Sequence, residues 1–233
     1  MRHAIRTGLL ALALGLLVFG PSADALAGCS AHPEPKVDWS NCDKHKKILS
    51  DLDLRGATLE RTDLSHSDLR DVNMAGASLV RANIAQSLLQ GGDFQGADLT
   101  KVLGSRADLS ESNLSGAILI KAELLRSDLS ESDLSKADAS KSELARADLT
   151  DSVLANAKLT YANVARAKFS GADLTATEFT GAYTLLTRFE DSDLSQSIGL
   201  TQDQIDIACG NESTLLPDGL TPPATWPCPV EEE

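Results

Sequence analysis

The stretch Leu52–Asp71 reads LDLRG ATLER TDLSH SDLRD, four five-residue units with one internal order. The third residue of each unit, Leu54, Leu59, Leu64 and Leu69, is large and apolar; the first is typically small, as at Ala57 and Ser67. Followed outward, the phase holds through Met74, Leu79, Ile84, Leu89, Phe94 and Leu99 to Phe189 and Leu194, so the pattern covers Leu52 to Ser197 without a break. Fixed-period self-similarity of this kind decides an architecture before any local propensity does. A period of five matches neither the roughly 3.6 of a helix nor the roughly 2 of a strand. It suits a coil in which each unit makes one short side and turns, with the apolar centre and the small residue facing inward and the other three residues facing water. Stacked coils then place Leu over Leu and Ala over Ala, joined by backbone hydrogen bonds as in a parallel sheet.

Ala97-Asp98-Leu99, Ala107-Asp108-Leu109, Ala147-Asp148-Leu149 and Ala172-Asp173-Leu174 stand nearly verbatim as the consensus A(D/N)LXX. In these residues the chain resembles the pentapeptide repeat family. The resemblance implies an all-β fold, a right-handed quadrilateral parallel β-helix with four units per coil, here about seven coils and a rod about 35 Å long at ~4.8 Å per stacked strand.

Composition fits an exported solenoid. Aromatic residues make up 4% of the chain, as expected if a narrow core of Leu and Ala has little room for rings. The net charge of −13 argues against a nucleic-acid partner held through its phosphates. The charge is unevenly placed: residues 52–198 carry 22 acids against 15 bases, whereas residues 199–233 carry seven acids and no base.

Residues 1–27 read as a secretory signal, with Arg2 and Arg6 ahead of an apolar run from Leu9 to Phe19 and a small-x-small site at Ala25-Leu26-Ala27. The expected destination is the periplasm or the exterior. The alternative is a lipoprotein anchored at Cys29, since Leu26-Ala27-Gly28-Cys29 also fits a lipobox; a membrane association is expected only in that case. Residues 28–51 are expected to form an N-terminal cap loop, with Trp39 as its lid. Cys29-x-x-His32 and Cys42-x-x-His45 carry four ligands of the kind zinc takes, but an oxidising compartment favours a Cys29–Cys42 disulfide instead.

Within the repeat, residues 52–198, the centres depart from large apolar residues at Gly104, Ala139 and Thr184. The loss of Leu burial, about 2–3 kcal/mol per site, leads us to expect local bulges that swing Leu103, and Leu185 or Leu186, inward. Two residues after the centres, outward ladders read Arg61, Arg81, Lys101, Lys121, Lys141, then His66, Gln86, Arg106, Arg126, Arg146, Arg166, then Asp71, Gly91, Glu111, Glu131, Asp151. Arg106, Arg126 and Arg146 of the second ladder each have an acid two residues on, at Asp108, Asp128 and Asp148, which is expected to neutralise it. Ile118, Ile120, Leu103 and Leu125 are apolar residues at outward positions and suggest a small contact patch.

Residues 199–233 are expected to cap the other end. Thr201 is a good N-cap with Gln204 completing a capping box, Leu200 and Ile205 make a hydrophobic staple, and Gly210 should end the helix. An irregular apolar segment through Trp226-Pro227-Cys228 and an acidic tail, Glu231–Glu233, follow. A second local disulfide, Cys209–Cys228, is expected.

No catalytic constellation, cofactor motif or resident metal is expected. Asp128, Glu131, Asp133 and Asp138 lie close in sequence, yet glycoside hydrolysis needs two carboxylates at a set separation in a cleft, and these recur at a water-facing position. The reading is a non-enzymatic exported scaffold that binds another protein or cell-envelope macromolecule, with Ile118, Ile120, Leu125, Arg106, Arg126 and Arg146 as candidate contacts. Two alternatives are a DNA mimic inhibiting a DNA-binding enzyme such as gyrase, as some members of the family are, and a β-helix polysaccharide hydrolase. The two basic ladders and the signal weigh against the first, and the closed repeat against the second.

Overall fold

One unit accounts for every backbone N–H it contains. Leu54 N donates to Asn73 O at 2.7 Å and Gly56 N to Ala75 O at 2.9 Å in the next coil, and Thr58 N reaches back to Val37 O at 2.9 Å. Ala57 N closes a turn onto Leu54 O at 3.0 Å. The fifth, Arg55 N, has no backbone acceptor in this scheme and donates to the Asp53 side-chain Oδ1 at 3.2 Å. The residue two after each centre has positive φ, from Arg61 (54°) and His66 (56°) to Asp191 (59°), which is the third position of a type II turn. Left-handed backbone is costly for residues other than glycine. The repeated inter-coil hydrogen bonds on both sides of every corner hold it in place.

The computed structural model describes residues 28–229; the expected signal, residues 1–27, and the acidic triplet Glu231–Glu233 lie outside the described residues. Parallel bridges join residues twenty apart, and one column runs Asp38, Thr58, Ser78, Asp98, Ile118, Asp138, Lys158, Glu178, Ile198. Three further columns run along the other sides, giving four flat faces. Stacking therefore starts at Asp38, ahead of Leu52, and most of the segment expected to be a cap loop is already a coil. Trp39 occupies an inward centre position there at 1% exposure, with its Nε1 donating to Ala31 O at 3.2 Å.

The core is the stack of centres with the small residues beside them, and both sets are buried from Leu54 and Ala57 to Phe189 and Ser192. Buried Ser and Thr at the small site are satisfied by the centre carbonyls: Ser132 Oγ donates to Leu129 O at 2.6 Å, and Thr177 Oγ1 to Leu154 O at 2.9 Å. A hydroxyl is thus admitted inside without an unpaired donor. Rings fit as well, contrary to the expectation from composition. Phe94, Phe169, Phe179 and Phe189 are all fully buried centres, and the last three pack on one another with centroids 5.5 to 6.1 Å apart. Phe94 is admitted by Gly92, where a Cβ would fall 2.7 Å from the ring.

The expected bulges at the irregular centres do not form. Leu103 and Leu185 stay exposed, at 42% and 37%, and Leu103 keeps its register between Asn83 and Glu123. The volume missing at Gly104 is taken by its column neighbours, for a Cβ there would lie 2.7 Å from Leu124 Cδ2 and 3.2 Å from Ile84 Cγ1. Thr184 is buried and bonded instead, its Oγ1 donating to Gln204 O at 2.7 Å.

At the C-terminal end, α1 (Gln202–Asp206) has Thr201 as N-cap, with both halves of the capping box made. Gln204 is buried and its Nε2 donates to Ala182 O at 2.8 Å, a carbonyl that a further coil would otherwise have bonded, and adds a second donor at 3.0 Å to Phe179 O, which already accepts from Ala182 N. The C-cap is Ile207 in right-handed backbone, not Gly210. Gly210 serves packing: a Cβ there would meet the Trp226 ring at 2.4 Å. The segment after α1 is also more regular than expected, because Cys209 bridges Arg188 and Leu215 bridges Asp193. Disulfides Cys29–Cys42 and Cys209–Cys228 fasten the two ends.

Candidate functional site: an arginine groove on one corner of the rod

Because every coil repeats the same turn, residues twenty apart present side chains along one line. Gln86, Arg106, Arg126, Arg146 and Arg166 stand on such a line, all at positive-φ corner positions. Beside them run Ala85, Ser105, Leu125, Ala145 and Ala165. Together the two rows line a shallow groove of about 410 Å³. Four of the five floor residues are small, and Leu125, 42% exposed, is the one large apolar group in it.

The expected neutralising pairs are not made. Among the described residues no ion pair joins Arg106 to Asp108, Arg126 to Asp128, or Arg146 to Asp148. The carboxylates are engaged locally: Asp108 Oδ1 accepts from Ser110 N at 3.1 Å and Ser110 Oγ at 2.6 Å, and Asp128 does the same with Ser130 at 3.0 and 2.6 Å. Asp148 accepts from Thr150 N and Oγ1 at 3.1 and 2.6 Å and pairs with Lys168 Nζ at 3.1 Å, one coil away. Burial pushes the Asp148 carboxyl up, but the Thr150 and Lys168 contacts outweigh it and hold it below its ordinary value.

The same use of the acid recurs along the rod. Asx side chains at Asp63, Asn73, Asp93, Asp133, Asp138 and Asp173 accept from the backbone N–H two residues on. The D/N of the repeat is therefore a backbone acceptor as well as a solvated group, which the exposure pattern alone does not reveal. Three of the acids clustered in sequence follow the same scheme. Asp128, Asp133 and Asp138 belong to three different columns, each bonded to its own turn. Elsewhere the column acids do pair with the adjacent arginine: Arg55 donates through Nε and Nη2 to Asp53 at 2.9 and 2.6 Å, and Arg70 to Asp68 at the same distances.

The apolar contacts expected to form one patch are divided by a corner. Ile118 is exposed on the face before Lys121, and half-buried Ile120 lines a second groove, of about 470 Å³, with Lys121, Lys141, Lys158 and Tyr161. Leu125 lies on the next side and belongs to the arginine groove. At the N-terminal end the CxxH tetrad is not assembled. Cys29 and Cys42 are bonded to each other, and His32 Nδ1 lies 3.0 Å from Pro33 O.

The family described as Pentapeptide repeats matches this chain in eight copies, over residues 48–84, 77–102, 107–144 and 147–183. Among solved structures the chain is similar to full-length QnrB1, a plasmid-mediated fluoroquinolone resistance protein. That match has 14% identity, covers 78% of this chain and 91% of that one, and gives a TM-score of 0.61. HetL, a protein involved in heterocyst differentiation regulation from the cyanobacterium Nostoc sp. strain PCC 7120, matches at 24% identity over 79% of this chain and 91% of its own, with a TM-score of 0.29. No curated protein matches.

Proposed function

The chain belongs to the pentapeptide repeat family, and from that premise we propose that it is a non-enzymatic, exported scaffold that binds another protein or cell-envelope macromolecule along the arginine groove. The observation that carries this reading is the line Arg106, Arg126 and Arg146 beside a floor of small residues with Leu125 in it. The guanidinium groups of Arg106, Arg126 and Arg146, at coil spacing and with no ion pair among the described residues, offer charge-assisted, bidentate contacts to an acidic surface. Leu125 supplies an apolar anchor between them. Two disulfides fit a compartment outside the cytoplasm. A solenoid whose inward positions are filled by its own side chains presents surface for recognition rather than an enclosed site for chemistry.

A DNA-mimic role is the second reading, and the likeness to QnrB1 bears on it through fold alone. A mimic needs a continuous acidic face, whereas this rod carries basic corners at Arg61, Arg81 and Lys101 as well as in the groove.

Affinity capture of the exported protein from cell-envelope extract tests the proposal. Replacing Arg106, Arg126 and Arg146 by Glu should reduce recovery of a saturable partner with the circular dichroism of the rod unchanged. Recovery that survives both this change and Leu125→Ser would remove the groove from the binding role. Turnover of a polysaccharide abolished by a single carboxylate change would overturn the non-enzymatic reading.

A further inference from the structure

His45, released from the CxxH tetrad by the Cys29–Cys42 disulfide, converges with two carboxylates from consecutive coils. Asp43 and Asp63 are bridge partners on one column, and His45 follows Asp43 by two residues. One donor atom from each of the three lies within 4.8 Å of the others, and His45 Nδ1 is already in contact with Asp43 Oδ1. We propose that Asp43, His45 and Asp63 form a surface site for one divalent first-row transition-metal ion, of which zinc is the natural probe.

The chemistry of the donor set points to that class. One imidazole nitrogen and two carboxylate oxygens suit zinc, at roughly 2.0–2.1 Å for nitrogen and 2.0–2.2 Å for oxygen, with a fourth position open to water. Calcium and magnesium prefer all-oxygen sites, so the imidazole discriminates against them. Elsewhere on this column the position of His45 is held by Ser65, Ala85, Ser105 and Leu125, none of which is a strong ligand.

The supporting contacts hold the donors in place. Asp63 Oδ1 accepts from Ser65 N at 3.0 Å and Asn83 Nδ2 at 3.1 Å, which fixes the carboxylate. Asp43 Oδ1 accepts from His45 N at 3.1 Å. Cys42, the residue before Asp43, is pinned by its disulfide. The nearest ammonium in sequence does not fill the space between the carboxylates, because Lys44 Nζ donates to Cys29 O at 2.7 Å and lies 3.9 Å from the centroid of the Trp39 ring. A dication bound between Asp43 and Asp63 would meet carboxylates from two consecutive coils.

Zinc titration of the purified protein by calorimetry, repeated with cobalt(II) and read by visible absorption, tests the site. The expected result is one ion per chain, a cobalt spectrum of a nitrogen and oxygen site without thiolate charge transfer, and an unchanged count of zero free thiols. His45→Gln and Asp63→Asn should each weaken binding by about tenfold or more, since even outer-shell partners are worth that much. The Asn retains the acceptor for Ser65 N. Asp128→Asn, an acid on another column, should leave binding unchanged. Equal zinc affinity in the native protein and both variants, or no binding up to millimolar zinc, would overturn the proposal. Should a variant lose its fold, movement of the His45 ring resonances on adding zinc to the native protein supports the site, and immobile resonances refute it.

Discussion

Thr184 Oγ1 donates to the carbonyl oxygen of Gln204 at 2.7 Å, which ties a hydroxyl at an inward centre position to the capping helix α1. The same Gln204 reaches back through Nε2 to Phe179 O and Ala182 O. Thr184→Val keeps the shape and leaves a buried carbonyl without its donor, at a cost of about 1–3 kcal/mol. The expected reading is a lower urea midpoint at unchanged slope, with Thr184→Ser close to the native value. A Val variant as stable as the native protein would mean that this bond does not hold the cap.

Leu129 and Asp128 are neighbours with opposite surroundings. Leu129 is fully buried, and Leu129→Asp combines lost burial with an unpaired carboxyl inside the stack, about 5 kcal/mol or more. Asp128→Asn keeps Oδ1 as acceptor for Ser130 N and should stay within about 0.5 kcal/mol of native. Asp128→Ala removes that acceptor and should cost more than the Asn change, by about 0.5–1.5 kcal/mol. Thermal unfolding of the three variants gives the order.

Gly92 sits where the Phe94 ring and a carbonyl both crowd the backbone. A Cβ there would lie 2.7 Å from Phe94 Cε2 and 2.9 Å from Leu89 O, and the carbonyl cannot swing away as a side-chain tip can. Gly92→Ala should therefore destabilise by about 1–3 kcal/mol, although Ala is the usual residue at this site of the repeat. Pairing it with Phe94→Leu removes the ring contact and leaves the carbonyl contact, so it should recover part of the loss, measured as coupling in a double-mutant cycle.

The disulfides predict a peptide map. Non-reducing digestion followed by mass spectrometry should link Cys29 to Cys42 and Cys209 to Cys228, with no free thiol. Replacing Cys209 and Cys228 together by Ser should lower stability by about 2–4 kcal/mol while the circular dichroism of the folded rod stays close to native.

Stability should fall in acid. The Arg55 side chain, through its hydrogen bonds, holds the Asp53 carboxyl below its ordinary 3.8, and Arg70 does the same for Asp68. Each group binds its proton less readily folded than unfolded, so its contribution is complete above about 3.8 and is lost as pH falls through the lowered folded value. The urea midpoint should be flat above about pH 5 and decline below about pH 4. Asp53→Asn and Asp68→Asn together should make that decline shallower, and an unchanged slope would mean that these pairs contribute nothing in solution.

The sequence alone determined which residues face inward. Leu54 to Leu194, and the small residue beside each, meet the same surroundings in every coil, so a five-residue phase is enough to place them. The capping box of Thr201 and Gln204 was legible for a similar reason, since both partners lie within one helical turn. The tertiary structure decided whatever depends on a neighbour twenty residues away or on the ends of the rod. Stacking begins at Asp38 although Lys44 and Lys47 hold inward positions of the pattern, because an end coil has no coil beneath it and Lys44 turns to Trp39 and Cys29 instead. Gly104 needs no bulge, because Ile84 and Leu124 on adjacent coils close over it. Among the described residues Asp108 and Asp128 make no ion pair with Arg106 and Arg126, which stand at the corner two residues before them, whereas Arg55 and Arg70 follow Asp53 and Asp68 by two residues on the same side and reach both the turn and the carboxylate.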